Sequence, residues 1–167
     1  MYQKIMVPLD GSALAECVLP HVTTLAQACG AGQVVLVRVV EPVHLPTDPG
    51  VAIDASTLAR IETEQRVEAE KYLQDVVKRL KGVVDQAKAE VLFGIAADAL
   101  PGYASAHGVD LIVIATHGRS GISRWVWGSV AERVLRAACA PVMMVRPAGC
   151  PVACLHPEAA VAGERTT

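Results

Sequence analysis

One phenylalanine, two tryptophans and three tyrosines are all the aromatic side chains in this 167-residue chain. A core of stacked rings is excluded, so alanine, valine and leucine must fill the interior. Long apolar runs are missing as well. The stretch ahead of Asp10, within Lys4 to Leu9, is too short for the apolar part of a secretion signal, and no segment approaches the length of a membrane span. The expectation is a cytoplasmic protein without membrane contact.

Neither sign of charge dominates, since 15 Lys and Arg stand against 17 Asp and Glu, a formal net charge of -2. The basic residues are scattered, which argues against a broad nucleic-acid footprint. Five cysteines, an odd number with no CxxC, argue against a disulfide framework. Cys17, Cys29 and Cys139 fall in segments that read as helices, where a thiol serves as a small apolar group. Cys150, Cys154 and His156 lack a fourth zinc ligand and sit in an aperiodic stretch. Two phosphate signatures are also absent: there is no GxxxxGK[ST], and no GxGxxG after the first apolar run.

What is present alternates. Lys4 to Leu9, Gln33 to Val40, Lys88 to Phe93, Val109 to Ala115 and Pro141 to Val145 are short, β-branched or apolar, as expected of strands covered on both faces. Between them lie helical periods. Ala13 to Cys29 reads as one helix, kinked at Pro20 and closed by Gly30; Leu58 to Lys81 as a second, with Ala69, Tyr72, Leu73, Val76, Val77 and Leu80 on one face. Its charges pair as Glu62/Arg66, Lys71/Asp75 and Asp75/Arg79 and form a solvated face. Asp98 to His107 is a short helix with Asp98 as N-cap, stopped by Gly108. A last helix carries the stripe Trp127, Val130, Ala131, Val134, Leu135 and Ala138.

Length and pattern predict one α/β domain over residues 1–147, a doubly wound, open five-stranded parallel sheet in the order 3-2-1-4-5 with helices on both faces. Residues 148–167 read as a tail, and residues 42–56 as an irregular connection. In such sheets ligands sit beyond the carboxyl ends of the strands where the winding reverses. That point lies between strands one and four. The loop after strand four, Ala115 to Ser129, suits an anion: no acidic residue occurs from Leu111 to Ala131, Gly118 and Gly128 let a ligand approach the backbone, and Gly128-Ser129 opens a helix.

Ala115-Thr116-His117-Gly118, nine further residues and then Gly128-Ser129 follow the register of the nucleotide-binding universal stress proteins, as do Val130-Ala131-Glu132-Arg133-Val134, Ala140-Pro141-Val142 and Ile5-Met6-Val7-Pro8-Leu9-Asp10. The chain resembles that family over roughly residues 1 to 147. The resemblance implies a bound ATP or AMP. Pro8 and the backbone of Val39 would flank the adenine, and Asp10 would meet the ribose or a nucleotide-borne Mg²⁺. Ala115 would face the ribose, while Gly118, Gly128, Ser129 and Val130 would hold phosphates. Alanine at 115 departs from the motif's glycine. The resemblance further implies a homodimer through the edge strand, Pro141 to Val145.

Plainer roles compete with these. Asp10 and Ser129 are both common helix caps. Arg119 is a candidate phosphate contact, yet it and Arg124 also suit a solvated loop; His117 has no partner for catalysis, and Trp127 is in phase with a core stripe. No residue set supplies a general base, so the expected role is regulatory binding with at most slow hydrolysis. The alternative is a nucleotide-free dimeric interaction module of the same fold.

Overall fold

A computed structural model describes residues 2–42, 54–116 and 128–146. Five parallel strands, β1 (Lys4–Pro8), β2 (Gln33–Val40), β3 (Ala87–Phe93), β4 (Leu111–Ala115) and β5 (Val142–Val145), form one sheet in the order β3-β2-β1-β4-β5. The sheet has the expected doubly wound order. Four helices cover it: α1 (Leu19–Cys29), α2 (Ala55–Leu80), α3 (Ala96–Ala106) and α4 (Ser129–Ala137).

Strand alternation divides the core in two. Val34 and Leu36 of β2 join Ile5, Val7, Leu111 and Val113 against α1 and α2, whereas Val35 and Val37 join Met6, Ile112 and Ile114 against α3 and α4. The stripe predicted on α2 is the one buried, with Ala69, Leu73 and Val76 fully enclosed. Among the described residues, no helix is long and apolar enough to cross a membrane.

Several local expectations are corrected. Pro20 does not kink a continuous helix: a 3-10 turn over Ala15–Val18 ends first, and Pro20 sits in the first turn of α1, where its missing N–H has no intrahelical partner to lose. Gly30 closes α1 in the left-handed region at φ 60°, as expected. Asp98 is not an N-cap. α3 begins at Ala96, and Asp98 lies in its first turn, accepting from Arg133 of α4 at 2.8 Å. α2 starts earlier than predicted, because Asp54 accepts from the Thr57 N–H at 2.8 Å. Hydrogen bonds from Ser56 and Thr57 hold the Asp54 carboxyl down at about 2. Leu135, predicted within the α4 stripe, is 41% exposed.

The charges of α2 also choose other partners: Arg66 pairs with Glu70, Asp75 with Lys78, and Arg79 reaches Glu16 at 2.8 Å. Glu16 additionally accepts from the Tyr72 hydroxyl at 2.9 Å, so α2 is clamped to the 3-10 turn that follows β1. The Arg79 hydrogen bond is the main reason the Glu16 carboxyl lies below its ordinary value of 4.5. A carboxyl depressed on folding stabilises the native state above its unfolded pKa, and that contribution is lost as pH falls through the folded value. Acid unfolding should therefore steepen below pH 4.5 in the wild type and less so in Glu16→Gln. Identical pH profiles for the two would show that the clamp adds nothing.

Candidate functional site

The crevice begins where β1 and β4 part. Their ladder pairs Ile5 with Leu111 and Met6 with Ile112, although β1 runs on to Pro8 and β4 to Ala115. Backbone groups of alternate residues in a parallel strand face alternate neighbours, and Lys4 already presents its carbonyl to Asp110 beside β4. Pro8 shares that side and has no N–H to give. Toward β2 the pairing continues through Pro8↔Val37, with Leu9 donating to the Val37 carbonyl at 2.8 Å. Proline in a central strand thus marks the place where the sheet opens.

A cleft of about 300 Å³ fills this opening. Its walls include Pro8, Val37, Val39, Leu100 and Ile114, and its polar groups come from two element ends, Asp10 just past the end of β1 and Gly128, Ser129 and Val130 at the start of α4. Asp10 is the only charged residue among the described ones that line it.

The two ends are built differently. After β1, Gly11 turns the chain at φ 88°, and Asp10 Oδ1 accepts from the Ser12 N–H at 2.9 Å and its hydroxyl at 2.7 Å. Ser12 Oγ then accepts from the Ala15 N–H at 3.1 Å. Asp10 therefore orients the serine that receives the next turn, rather than capping that turn itself. At the other end, Gly128 donates to the Thr116 carbonyl at 2.8 Å, while Thr116 donates to Val145 at 2.8 Å. Thr116 and Gly128 thus meet above β4. α4 then opens with no side-chain cap, so the N–H groups of its first turn face outward with the positive end of the helix dipole.

Of the predicted site residues, the fold brings Pro8, Asp10, Val39, Ala115, Gly128, Ser129 and Val130 to this single cleft. Gly118 and Arg119, with His117, Arg124 and Trp127, lie outside the described residues, as does the 148–167 tail. The sequence reading missed Leu9, Val37, Leu100, Ile114 and the buried Thr116. Val37 was recoverable, since it shares a strand face with Val39. Leu100 was not, because its place depends on how α3 packs.

Ala115, the departure from the glycine motif, is 7% exposed and belongs to the core cluster with Val7, Leu9, Ala15 and Val113. Ser129 and Val130 begin the helix that covers the opposite face. Ala115 thus joins that packed cluster while also lining the cleft. Ala115→Gly should cost about 0.5–1 kcal/mol of stability, the usual penalty for glycine in a strand, and leave adenine-nucleotide affinity within roughly twofold. A large gain in affinity would show instead that the methyl obstructs the cleft.

A second chamber, of about 450 Å³, adjoins the first. Asp10, Val39, Ala96 and Val130 line both. Its remaining walls include Arg38, Glu41, Gln65 and Glu68. Arg38 lies over the Tyr72 ring, 5.4 Å from its centroid, and 3.6 Å from Glu68. Glu41 accepts from the Ala96 N–H at 3.4 Å. None of these polar walls was foreseen from the sequence.

The family model described as the universal stress protein family matches residues 1–146. The chain is 31% identical to universal stress protein MJ0531 of Methanocaldococcus jannaschii over 147 residues, covering 87% of this chain and 83% of that protein. It is 28% identical to universal stress protein MJ0577 of the same organism over 156 residues, 87% of this chain and 96% of the relative. The solved structure of MJ0577 superposes with a TM-score of 0.77, covering 89% of this chain and 99% of that one, at 27% identity. Two more distant structures share the fold. One is a universal stress protein in complex with cAMP (TM-score 0.64, 22% identity, 86% and 97% of the two chains). The other is a family protein from Arabidopsis thaliana with AMP bound (TM-score 0.59, 14% identity, 88% and 93%).

Proposed function

The chain belongs to the universal stress protein family, and on that premise we propose that it binds an adenine nucleotide, ATP or AMP, in the crevice between β1 and β4. One observation carries the reading: a single cleft gathers groups suited to each part of a nucleotide. The open N-terminus of α4 offers N–H donors and a positive dipole end to phosphate. The Asp10 carboxylate, in the same cleft, suits sugar hydroxyls. Pro8, Val37, Val39 and Ile114 give the same cleft an apolar lining of the kind a base packs against. The family structures with cAMP and with AMP bound agree with a mononucleotide ligand.

The role is regulatory holding in the cytoplasm rather than rapid turnover. Phosphoryl transfer needs cations on the transferring group and a residue to position the nucleophile. The described lining carries one carboxylate and no lysine. Among the described residues, no cluster of three or more His, Cys, Asp or Glu could build a metal site. A Mg²⁺ borne by the nucleotide would meet Asp10, the one carboxylate of the described lining. Calorimetric titration of nucleotide-stripped protein with ATP, AMP and GTP, in the presence of Mg²⁺, tests the reading. Saturable binding of the adenine nucleotides supports it. Absence of binding by the folded protein leaves a nucleotide-free interaction module of the same fold.

The homodimer implied by the resemblance would use β5, an edge strand whose Val142, Met143 and Met144 are only partly buried. Pairing two such edges across a two-fold axis would cover them. Sedimentation of the full chain at micromolar concentration should give twice the monomer mass, and a monomer there contradicts the pairing.

A further inference from the structure

The most unusual polar group of the second chamber is on α2. Gln65 lies four residues before Ala69 and so falls in phase with the buried stripe of that helix. An apolar side chain is the stable choice at such a position. Its Oε1 is buried and accepts no hydrogen bond. Exchanging the amide oxygen and nitrogen would only leave an unmet donor in its place. The other polar walls are engaged: Arg38 with Glu68 and Tyr72, Glu41 with the Ala96 N–H. A buried acceptor without a donor destabilises the free protein, and a residue that breaks the local packing rule in a cleft is accounted for when a ligand supplies what is missing.

We propose that Gln65 is the base-reading residue of the cleft, its amide oxygen accepting from the exocyclic amino group of adenine. The inference rests on the nucleotide reading above and adds to it the origin of base preference. Val39, expected beside the adenine, lines both chambers, so the chamber walled by Gln65 continues from the place expected for the base. An amide fits the amino-bearing edge of adenine, accepting from the 6-amino group and donating to the neighbouring ring nitrogen.

The experiment titrates the nucleotide-stripped full chain with ATP and with purine riboside 5′-triphosphate, which differs only in lacking the amino group. Wild type should prefer ATP about tenfold, the worth of one such hydrogen bond. Gln65→Met should bind ATP about tenfold more weakly and lose the preference, while melting no lower than wild type without nucleotide. Gln65→Glu, which keeps an acceptor, should retain the preference. If wild type binds the two nucleotides equally, or Gln65→Met keeps the ratio, the base-reading role is overturned and the nucleotide site stands. If wild type binds neither at millimolar concentration, the nucleotide reading falls and this inference with it.

Discussion

Replacing Gly128 with valine is expected to weaken adenine-nucleotide binding by at least about 100-fold while leaving the melting temperature nearly unchanged. Gly128 has φ -52° and ψ 132°, a conformation open to any L-residue, so the substitution carries no backbone strain. It lines the cleft immediately before the uncapped turn of α4, where a branched side chain would stand between a phosphate and the Ser129 and Val130 N–H groups. Hydrogen bonds to a charged group contribute about 1.5–3 kcal/mol each. Losing two therefore removes more than about 2.7 kcal/mol, which is roughly a hundredfold. Calorimetry paired with a thermal melt checks both halves. Undiminished binding by the valine variant would mean that phosphates do not sit at this turn.

The largest stability effect is expected at Leu73. It is fully enclosed where α2 meets the sheet, in the cluster that holds Val34, Leu36 and Val76. Truncation to alanine removes apolar contacts and leaves a cavity that the parallel strands cannot readily close. The cost should be about 2–5 kcal/mol. For a chain of this size that lowers the melting point by roughly 5–15 °C. Leu135→Ala, on the exposed side of α4, serves as the control and should change stability by less than about 0.5 kcal/mol. Equal effects at the two positions would refute the division into core and surface.

The strand order was legible because each strand is a short apolar run bounded by Gly, Pro or Asp, and right-handed crossovers leave few ways to stack them. Topology and the Gly128-Ser129 register point to the cleft, and the family resemblance implies Pro8, Asp10, Val39, Ala115 and the start of α4 as its residues. What escaped was local. Pro20 and Asp98 each satisfy two rules, kink or first turn, cap or ion pair, and the neighbouring elements decide between them. The partners of Arg79 and Arg133 lie on other elements, beyond the reach of a helix-spacing rule.

Gln65 is the instructive omission. It sits within a helix rich in charge and ahead of the stripe read from Ala69 to Leu80, yet its spacing to Ala69 and Leu73 puts it on the buried side. A polar residue in phase with an apolar stripe is a sequence-level signal for a cavity. It becomes readable only when the stripe is followed beyond the residues that obey it. Ala115 shows the converse. A departure from a motif was visible at once, but whether the methyl faces ligand or core depends on the packing of Leu9 and Ala15 beside it.

The most direct test of the nucleotide site is to follow the backbone amide resonances of the isotopically labelled, nucleotide-stripped chain as ATP with Mg²⁺ is added. The predicted result is saturable shifts concentrated at Asp10, Val39, Ser129, Val130 and Ala131, with residues at the amino ends of the strands unmoved. No shift at those amides at millimolar ATP, in a protein whose spectrum shows it folded, would contradict the site.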